Sequence, residues 1–253
     1  MTTPSVSVCI PARNEAATVG NLVRAVRQHP RATEVLVLDH ASVDDTAAQA
    51  CAAGARVIPA DSILASFGSA LGKGDVLWRS VHAASCDVIV WLDADLRSYS
   101  PDYLTCLVEP MNDDAIAMVR PDYQRTLHGR ISGGGRITES VAKPGLRQWH
   151  PHLSHIRQPL AGEYAMKREV AQSLDFEIDY GVEVGLLIDT AKAFGVESIA
   201  QVRLPARVHR NRPDEELRAP ARQVQRTILS RVGLADRYIR PALAGLRSST
   251  VAT

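Results

Sequence analysis

The sequence predicts an α/β protein with a mostly parallel central sheet, helices on both faces and a helical C-terminal segment. Three observations carry this. Short apolar β-branched runs alternate with stretches of helical periodicity from Ser5 to Leu92. The runs are apolar at nearly every position, as expected of strands covered on both faces. Each also ends in polar or acidic residues, where ligands bind in such sheets.

Ser5–Ile10 is the first strand, with Pro11 expected to stop it, and Ala16–Val26 places Val19, Leu22, Val23 and Val26 on one helical face. Glu34–Leu38 is a second strand ending in Asp39, followed by a helix from about Thr46 to Ala53 that Gly54 closes. Ala55–Ile58 is a third strand, Asp61–Gly74 a loop, Asp75–Ala84 a helix, and Val88–Leu92 a fourth strand running into Asp93-Ala94-Asp95. Later, strands are expected at Ala115–Val119, Pro159–Met166 and Ser198–Val208. Helices are expected at Arg168–Leu174, Val182–Phe194 and Glu215–Arg240. With 253 residues and no long linker, the chain reads as one domain, with a first half at 1–98, a second at 99–213 and a helical tail at 214–253.

Composition narrows the class. Hydrophobic residues are 45% and charged residues 23%, which excludes disorder and a disulfide miniprotein. Cys9, Cys51, Cys86 and Cys106 are widely spaced and read as free thiols, mostly buried, in a reducing cytoplasm. The run Val88–Leu92 is far short of the roughly 20 residues a bilayer needs, and Met1–Ser5 carries no secretory leader pattern. The net charge of +1 hides an asymmetry: from Arg203 onward there are eleven arginines and no lysine against four acidic residues. Such a tail attracts phosphate or nucleic acid, but it has no aromatic interleaving. The plainer reading packs its arginine stems on the domain or on a partner subunit, with no nucleic acid and no membrane as partners.

The chemistry concentrates at the strand ends. Asp93 and Asp95 are hard carboxylates that can hold a divalent metal against a diphosphate, although Asp-x-Asp also occurs in ordinary turns. Asn14-Glu15 and Asp39 can read a nucleoside, or cap helices. Gly72-Lys73-Gly74 offers a cation on flexible backbone. Gly133-Gly134-Gly135-Arg136-Ile137-Thr138 is an anion cradle or a flexible turn. His209 can be a further metal ligand or a structural histidine, while His150, His152 and His155 lack partners for a zinc site.

Taken together, these stretches resemble a GT-A glycosyltransferase, and more narrowly the retaining glucosyl-3-phosphoglycerate and mannosyl-3-phosphoglycerate synthases. The resemblance runs from Ser5 to about Gly233. It rests on Pro11-Ala12-Arg13-Asn14-Glu15, Leu38 to Thr46, Gly72 to Arg79, Gly133 to Glu139, Gln158 to Ala165, Tyr180 to Leu187 and Ala206 to Pro213. It implies a metal-dependent hexosyltransferase giving an α-glycoside, with UDP-glucose as donor, 3-phosphoglycerate as acceptor, Mg2+ or Mn2+ as cofactor, and a homodimer. By the resemblance, donor binding falls to Pro11, Ala12, Arg13, Asn14, Glu15, Asp39, His40, Lys73, Asp93, Ala94, Tyr180, Gly181, Val182, Glu183, Arg207, Arg210 and Arg212. Acceptor binding falls to Gly135, Arg136, Ile137, Thr138 and Asn211, metal binding to Asp95 and His209, and catalytic roles to Asp93, Glu183 and Arg136.

The chain departs from the family pattern at Arg13, where leucine is usual, and at His40-Ala41, where the family has Ser-Gly. These positions leave a GDP-linked hexose or another acceptor open. A sugar-nucleotide pyrophosphorylase would want a glycine-rich loop after the first strand, which Pro11 to Glu15 is not. A non-catalytic binder would have lost the metal site, yet Asp93, Asp95, Glu183 and His209 all stand.

Overall fold

The computed structural model describes residues 3–97, 99–123, 125–127, 130–132, 135–205 and 214–246. The first half alternates as expected: β1 (Val6–Ala12), α1 (Val19–Arg27), β2 (Ala32–Asp39), α2 (Thr46–Ala52), β3 (Arg56–Pro59), α3 (Lys73–Ala83) and β4 (Val88–Trp91). The second half is α4 (Pro101–Val108), β5 (Met118–Asp122), a small hairpin of β6 (Arg125–Leu127) and β7 (Arg130–Ser132), and α5 (Lys143–Trp149). Then come β8 (Tyr164–Lys167), α6 (Arg168–Ser173), β9 (Phe176–Glu177), α7 (Val182–Phe194), β10 (Ile199–Arg203), α8 (Asp214–Ser230), β11 (Ile239–Arg240) and α9 (Leu243–Leu246).

Seven strands form one sheet in the order β10-β5-β8-β4-β1-β2-β3. β1 pairs in parallel with β2 and β4, β2 with β3, and β10 with β5. β8 runs antiparallel to both β4 and β5. Four strands thus come from residues 1–98 and three from 99–213. Alternation sorts the side chains: Val6, Val8 and Ile10 face α1 and α4, while Cys9, Ile89 and Trp91 face α3, α7 and α8. Both faces are covered, as the apolar strand runs require.

Several expectations need correction. Pro11 does not end β1, which continues to Ala12; proline lacks a donor but leaves the strand its carbonyls, and the Ala12 carbonyl accepts the His40 N–H at 2.9 Å. The loop at 61–74 contains two short 3-10 turns and ends in α3, which begins at Lys73. The C-terminal helix stops at Ser230, and Gly233 takes a φ of 77°, open to glycine. The chain then returns as β11, antiparallel to β9. The strand expected at Pro159 begins at Tyr164. Helices α4 and α5 were not anticipated. His150 is buried against the Ile228 carbonyl at 3.2 Å, which makes it structural. Of the four free thiols, Cys51 is exposed.

The basic tail has a structural destination. Arg231, 3% exposed, pairs with Glu177 and lies 2.8 Å from Asp189. Arg226 reaches Asp179 at 2.6 Å, Arg237 reaches Asp189 at 3.2 Å, and Arg240 reaches Asp75 at 2.7 Å. Asp75 is fully buried; it also takes Arg79 at 3.1 Å and the Leu71 N–H at 3.0 Å. Arg79 in turn donates to the carbonyls of Ala60, Ile63 and Gly68, fixing the loop after β3. Four of the C-terminal arginines therefore tie the tail to acidic residues of the domain.

Ala41 adopts a left-handed φ of 52° in the turn after β2. That conformation costs an L-residue about 1–2 kcal/mol, partly offset in a glycine by its freer unfolded chain. Ala41→Gly is expected to stabilise the protein by about 0.5–1 kcal/mol. A higher urea midpoint at unchanged slope is the expected reading.

Candidate active site

The carboxyl ends of β1, β2 and β4 open into one cleft of about 400 Å3. Pro11 and Ala12 line it from the end of β1, Arg13 and Glu15 from the turn that follows, His40 from the turn after β2, Lys73 and Val76 from α3, and Asp93, Ala94 and Asp95 from beyond the end of β4. Asp179 and Tyr180, just before α7, and Gln223 of α8 close another wall.

The cleft is built on close backbone approaches. A Cβ on Gly74 would lie 1.8 Å from the Glu177 carbonyl oxygen, so only glycine lets α3 start against that segment. A Cβ on Gly162 would lie 2.3 Å from Asp93 Oδ1. The 158–162 turn is itself clamped by Arg120 of β5, which is fully buried. Its guanidinium donates to the carbonyls of Gln158, Pro159 and Ala161 at 3.1, 3.0 and 3.1 Å. Burial pushes the Arg120 pKa down, opposed by nearby acidic groups.

Charge centres on Lys73. Its Nζ sits 2.8 Å from Asp93 Oδ1 and 2.6 Å from Glu183 Oε1. Burial alone would lower the ammonium pKa; Asp93 and Glu183 outweigh it and hold Lys73 charged well above the ordinary lysine range. One cation thus joins the end of β4 to the first turn of α7. Glu183 is 4% exposed, so its charge depends on this partner.

Other expected residues take other places. Asn14 does not line the cleft. With a φ of 56°, its N–H donates to Ser42 Oγ at 3.0 Å and its Oδ1 accepts the Val43 N–H at 2.9 Å. It braces the turns after β1 and β2 against each other. Asp39 ends β2; its Oδ1 is buried with no hydrogen-bond partner among the described residues. Gly181 and Val182 support the cleft wall without lining it, and α8 approaches so closely that a Cβ on Gly181 would meet Thr227 Oγ1 at 2.0 Å. Gly135, Arg136, Ile137 and Thr138 lie outside the cleft lining, where a helical run begins and passes through a π turn at Thr138–Ala142 into α5. Arg207, His209, Arg210, Asn211 and Arg212 lie outside the described residues, as do Gly133 and Gly134.

Among the described residues, no three His, Cys, Asp or Glu side chains converge as a ligand set. Asp95 presents a hard carboxylate to the cleft, while Asp93 is committed to Lys73. That chemistry suits Mg2+ or Mn2+ completed by oxygens of a bound ligand. Asp179, Gln223 and Arg120 carry no local sequence signal for this cleft, while Gly162 falls in the stretch Gln158 to Ala165 without a role assigned to it. Arg120, a charge inside an apolar strand, is the one that composition alone marks as unusual.

Residues 7–162 match the model of glycosyl transferase family 2. Glucosyl-3-phosphoglycerate synthase of Mycobacterium tuberculosis is 43% identical over 242 residues, covering 92% of this chain and 75% of the relative. The chain belongs to the glucosyl-3-phosphoglycerate synthases of glycosyl transferase family 2.

The relative of the same name from Petrotoga mobilis is 38% identical, over 90% of this chain and 73% of its own. A crystal structure of the M. tuberculosis synthase, in complex with Mn2+, UDP-glucose and phosphoglyceric acid, superposes with a TM-score of 0.89 at 40% identity. The match covers 96% of this chain and 92% of that one. Another structure of that enzyme, with Mn2+, UDP-glucose and glycerol 3-phosphate, gives 0.88 at 39% identity over the same shares.

Lys73→Met leaves two carboxylates facing each other without their cation. A loss of about 3–5 kcal/mol is expected at pH 8. In the wild type the Lys73 contribution is fully present below the unfolded lysine pKa, and is lost only as pH rises through the higher folded value. The wild type should therefore keep the whole Lys73 contribution between about pH 5 and about pH 9, below the unfolded lysine pKa. Urea unfolding at several pH values checks this.

Proposed function

We propose that this chain transfers glucose from UDP-glucose to the free hydroxyl of 3-phosphoglycerate, with retention of the anomeric configuration and with Mg2+ or Mn2+ as cofactor. The observation that carries the reading is the meeting of Pro11 to Glu15, Lys73 and Asp93 to Asp95 in one cleft, with Glu183 pinned beside it. The relatives named for this activity, and the solved one holding UDP-glucose and phosphoglyceric acid, support it.

In this reading the turns after β1 and β2 take the nucleoside, with Asp39 Oδ1 as a waiting acceptor. Asp93 and Glu183, both paired with Lys73, accept hydroxyls of the hexose. Because the same cation engages both carboxylates, they are positioning groups. Retention then follows from attack on the face the diphosphate leaves, with a diphosphate oxygen taking the acceptor proton. The protein contributes placement and charge. Asp95, with His209, would hold the metal, which when bound neutralises charge on the leaving diphosphate. Arg136, with Gly135, Ile137, Thr138 and Asn211, would hold the acceptor phosphate, and Arg207, Arg210 and Arg212 the donor diphosphate. The start of a helical run at Arg136 supports that assignment, because a helix N-terminus favours an anion.

A cytoplasmic homodimer completes the proposal. Four free thiols suit a reducing compartment, and among the described residues no helix is long and apolar enough to cross a membrane. Sedimentation velocity at several concentrations tests the dimer.

Mass analysis of products from a nucleotide-sugar panel with 3-phosphoglycerate tests the reaction; glucosyl-3-phosphoglycerate from UDP-glucose is expected. Asp95→Ala and EDTA should each abolish turnover. Arg136→Ala should raise the KM for 3-phosphoglycerate about 10- to 150-fold, the equivalent of about 1.5–3 kcal/mol, with the donor KM unchanged. Equal use of glycerate and its phosphate ester would remove the acceptor assignment. Arg13→Leu with His40→Ser should shift the ranking of donor bases, read as ratios of kcat/KM, because both side chains line the cleft.

A further inference from the structure

The expected donor residues all precede α8, yet α8 supplies part of the cleft wall through Gln223. Its Oε1 is buried and has no hydrogen-bond partner among the described residues. A buried acceptor left unpaired is costly, so a group that donates to it gains from binding there.

The backbone that carries Gln223 is anchored through its helix. Val224 and Ile228, on the inner face of α8, are 2% exposed and lie in the core. Arg226 stands three residues from Gln223, and so beside it on the helix surface. It pairs with Asp179 at 2.6 Å, and Asp179 accepts the Gly181 N–H at 2.9 Å. Thr227 rests over Gly181, whose missing side chain permits the approach. Gln223, Asp179 and Tyr180 thus form one wall of fixed geometry.

That wall belongs to the Lys73 end of the cleft. The Asp75 N–H donates to the Ile178 carbonyl at 3.1 Å, and Lys73 reaches Glu183 four residues beyond Asp179. The turns after β1 and β2, which present Arg13 and His40, come from different elements at the strand ends. A neutral amide oxygen accepts a hydroxyl hydrogen; a diphosphate has no hydrogen to give it at neutral pH.

We propose that Gln223 of α8 is a specificity-determining residue of the donor site, accepting a hydrogen bond from one hydroxyl of the hexose. The C-terminal helix then serves in sugar recognition as well as packing. This inference rests on the UDP-glucose reading and adds a residue to it.

The test is isothermal titration of the full chain, in Mn2+, with UDP, UDP-glucose and UDP-glucose analogues each lacking one hydroxyl. The wild type should lose about three- to tenfold in affinity for one deoxy analogue, the size of a single neutral hydrogen bond. Gln223→Met keeps length and helix propensity but removes the acceptor. It should bind UDP as the wild type does, bind UDP-glucose about three- to tenfold more weakly, and no longer distinguish that analogue. Retained UDP affinity shows that the variant is folded. The inference is overturned if Gln223→Met weakens UDP as much as UDP-glucose, or leaves the penalty for every deoxy analogue unchanged. A wild type indifferent to every deletion also overturns it, without any variant. A wild type that binds UDP but gains nothing from the attached glucose contradicts the donor reading itself.

Discussion

A single ammonium between two carboxylates organises this molecule. Lys73 opens α3, Asp93 follows β4 and Glu183 lies in the first turn of α7. Glu183 lies about a hundred residues beyond the other two in the chain, yet both carboxylates come within 2.8 Å of the Lys73 nitrogen. Glu183 is buried and Asp93 partly so, and two carboxylates this close repel each other unless such a cation stands between them. The glycines around them follow from the same constraint: Gly74 lets α3 begin against the Glu177 carbonyl, and Gly162 leaves room for the Asp93 carboxylate. The resulting cleft combines paired charge with close-packed backbone, as an enzyme working by placement and electrostatics requires.

Around this centre the protein uses arginine as a buried connector. Arg120 gathers three carbonyls of the 158–161 turn, and Arg79 gathers three from the loop after β3. Arg226, Arg231 and Arg240 bring the C-terminal segment onto Asp179, Glu177 and Asp75. The planar, always charged guanidinium suits this work, because it can serve several acceptors at once while staying ionised. The positive C-terminal end therefore answers an acidic surface laid down earlier in the chain. The tail adds both stability and one wall of the cleft.

Much of this was legible in the residues. The helix expected at Val182–Phe194 has those ends in the structure, with Gly181 and Gly195 flanking it. Strand ends gave the cleft, since Pro11 to Glu15 and Asp93 to Asp95 each close an apolar run. The direction of β8 was not legible, because an apolar strand reads the same in a parallel or antiparallel ladder. Neither was the share of α8 in the cleft: Gln223 looks like any polar residue of an amphipathic helix until folding brings it beside Tyr180. Asn14 shows the reverse. Its motif suggests a ligand contact, while its left-handed backbone and its bonds to Ser42 and Val43 show a brace between two turns. Motifs identify positions under constraint, and geometry decides what the constraint is.

The central claim is that Lys73 and Glu183 act as one unit in shaping the cleft. A thermodynamic cycle measures this directly, from UDP-glucose affinities of the wild type, Lys73→Met, Glu183→Gln and the double variant. If the pair is one unit, the double variant loses less than the two single losses combined, by more than about 1 kcal/mol. Losses that add to within about 0.5 kcal/mol would mean the two side chains act independently, and would contradict the account.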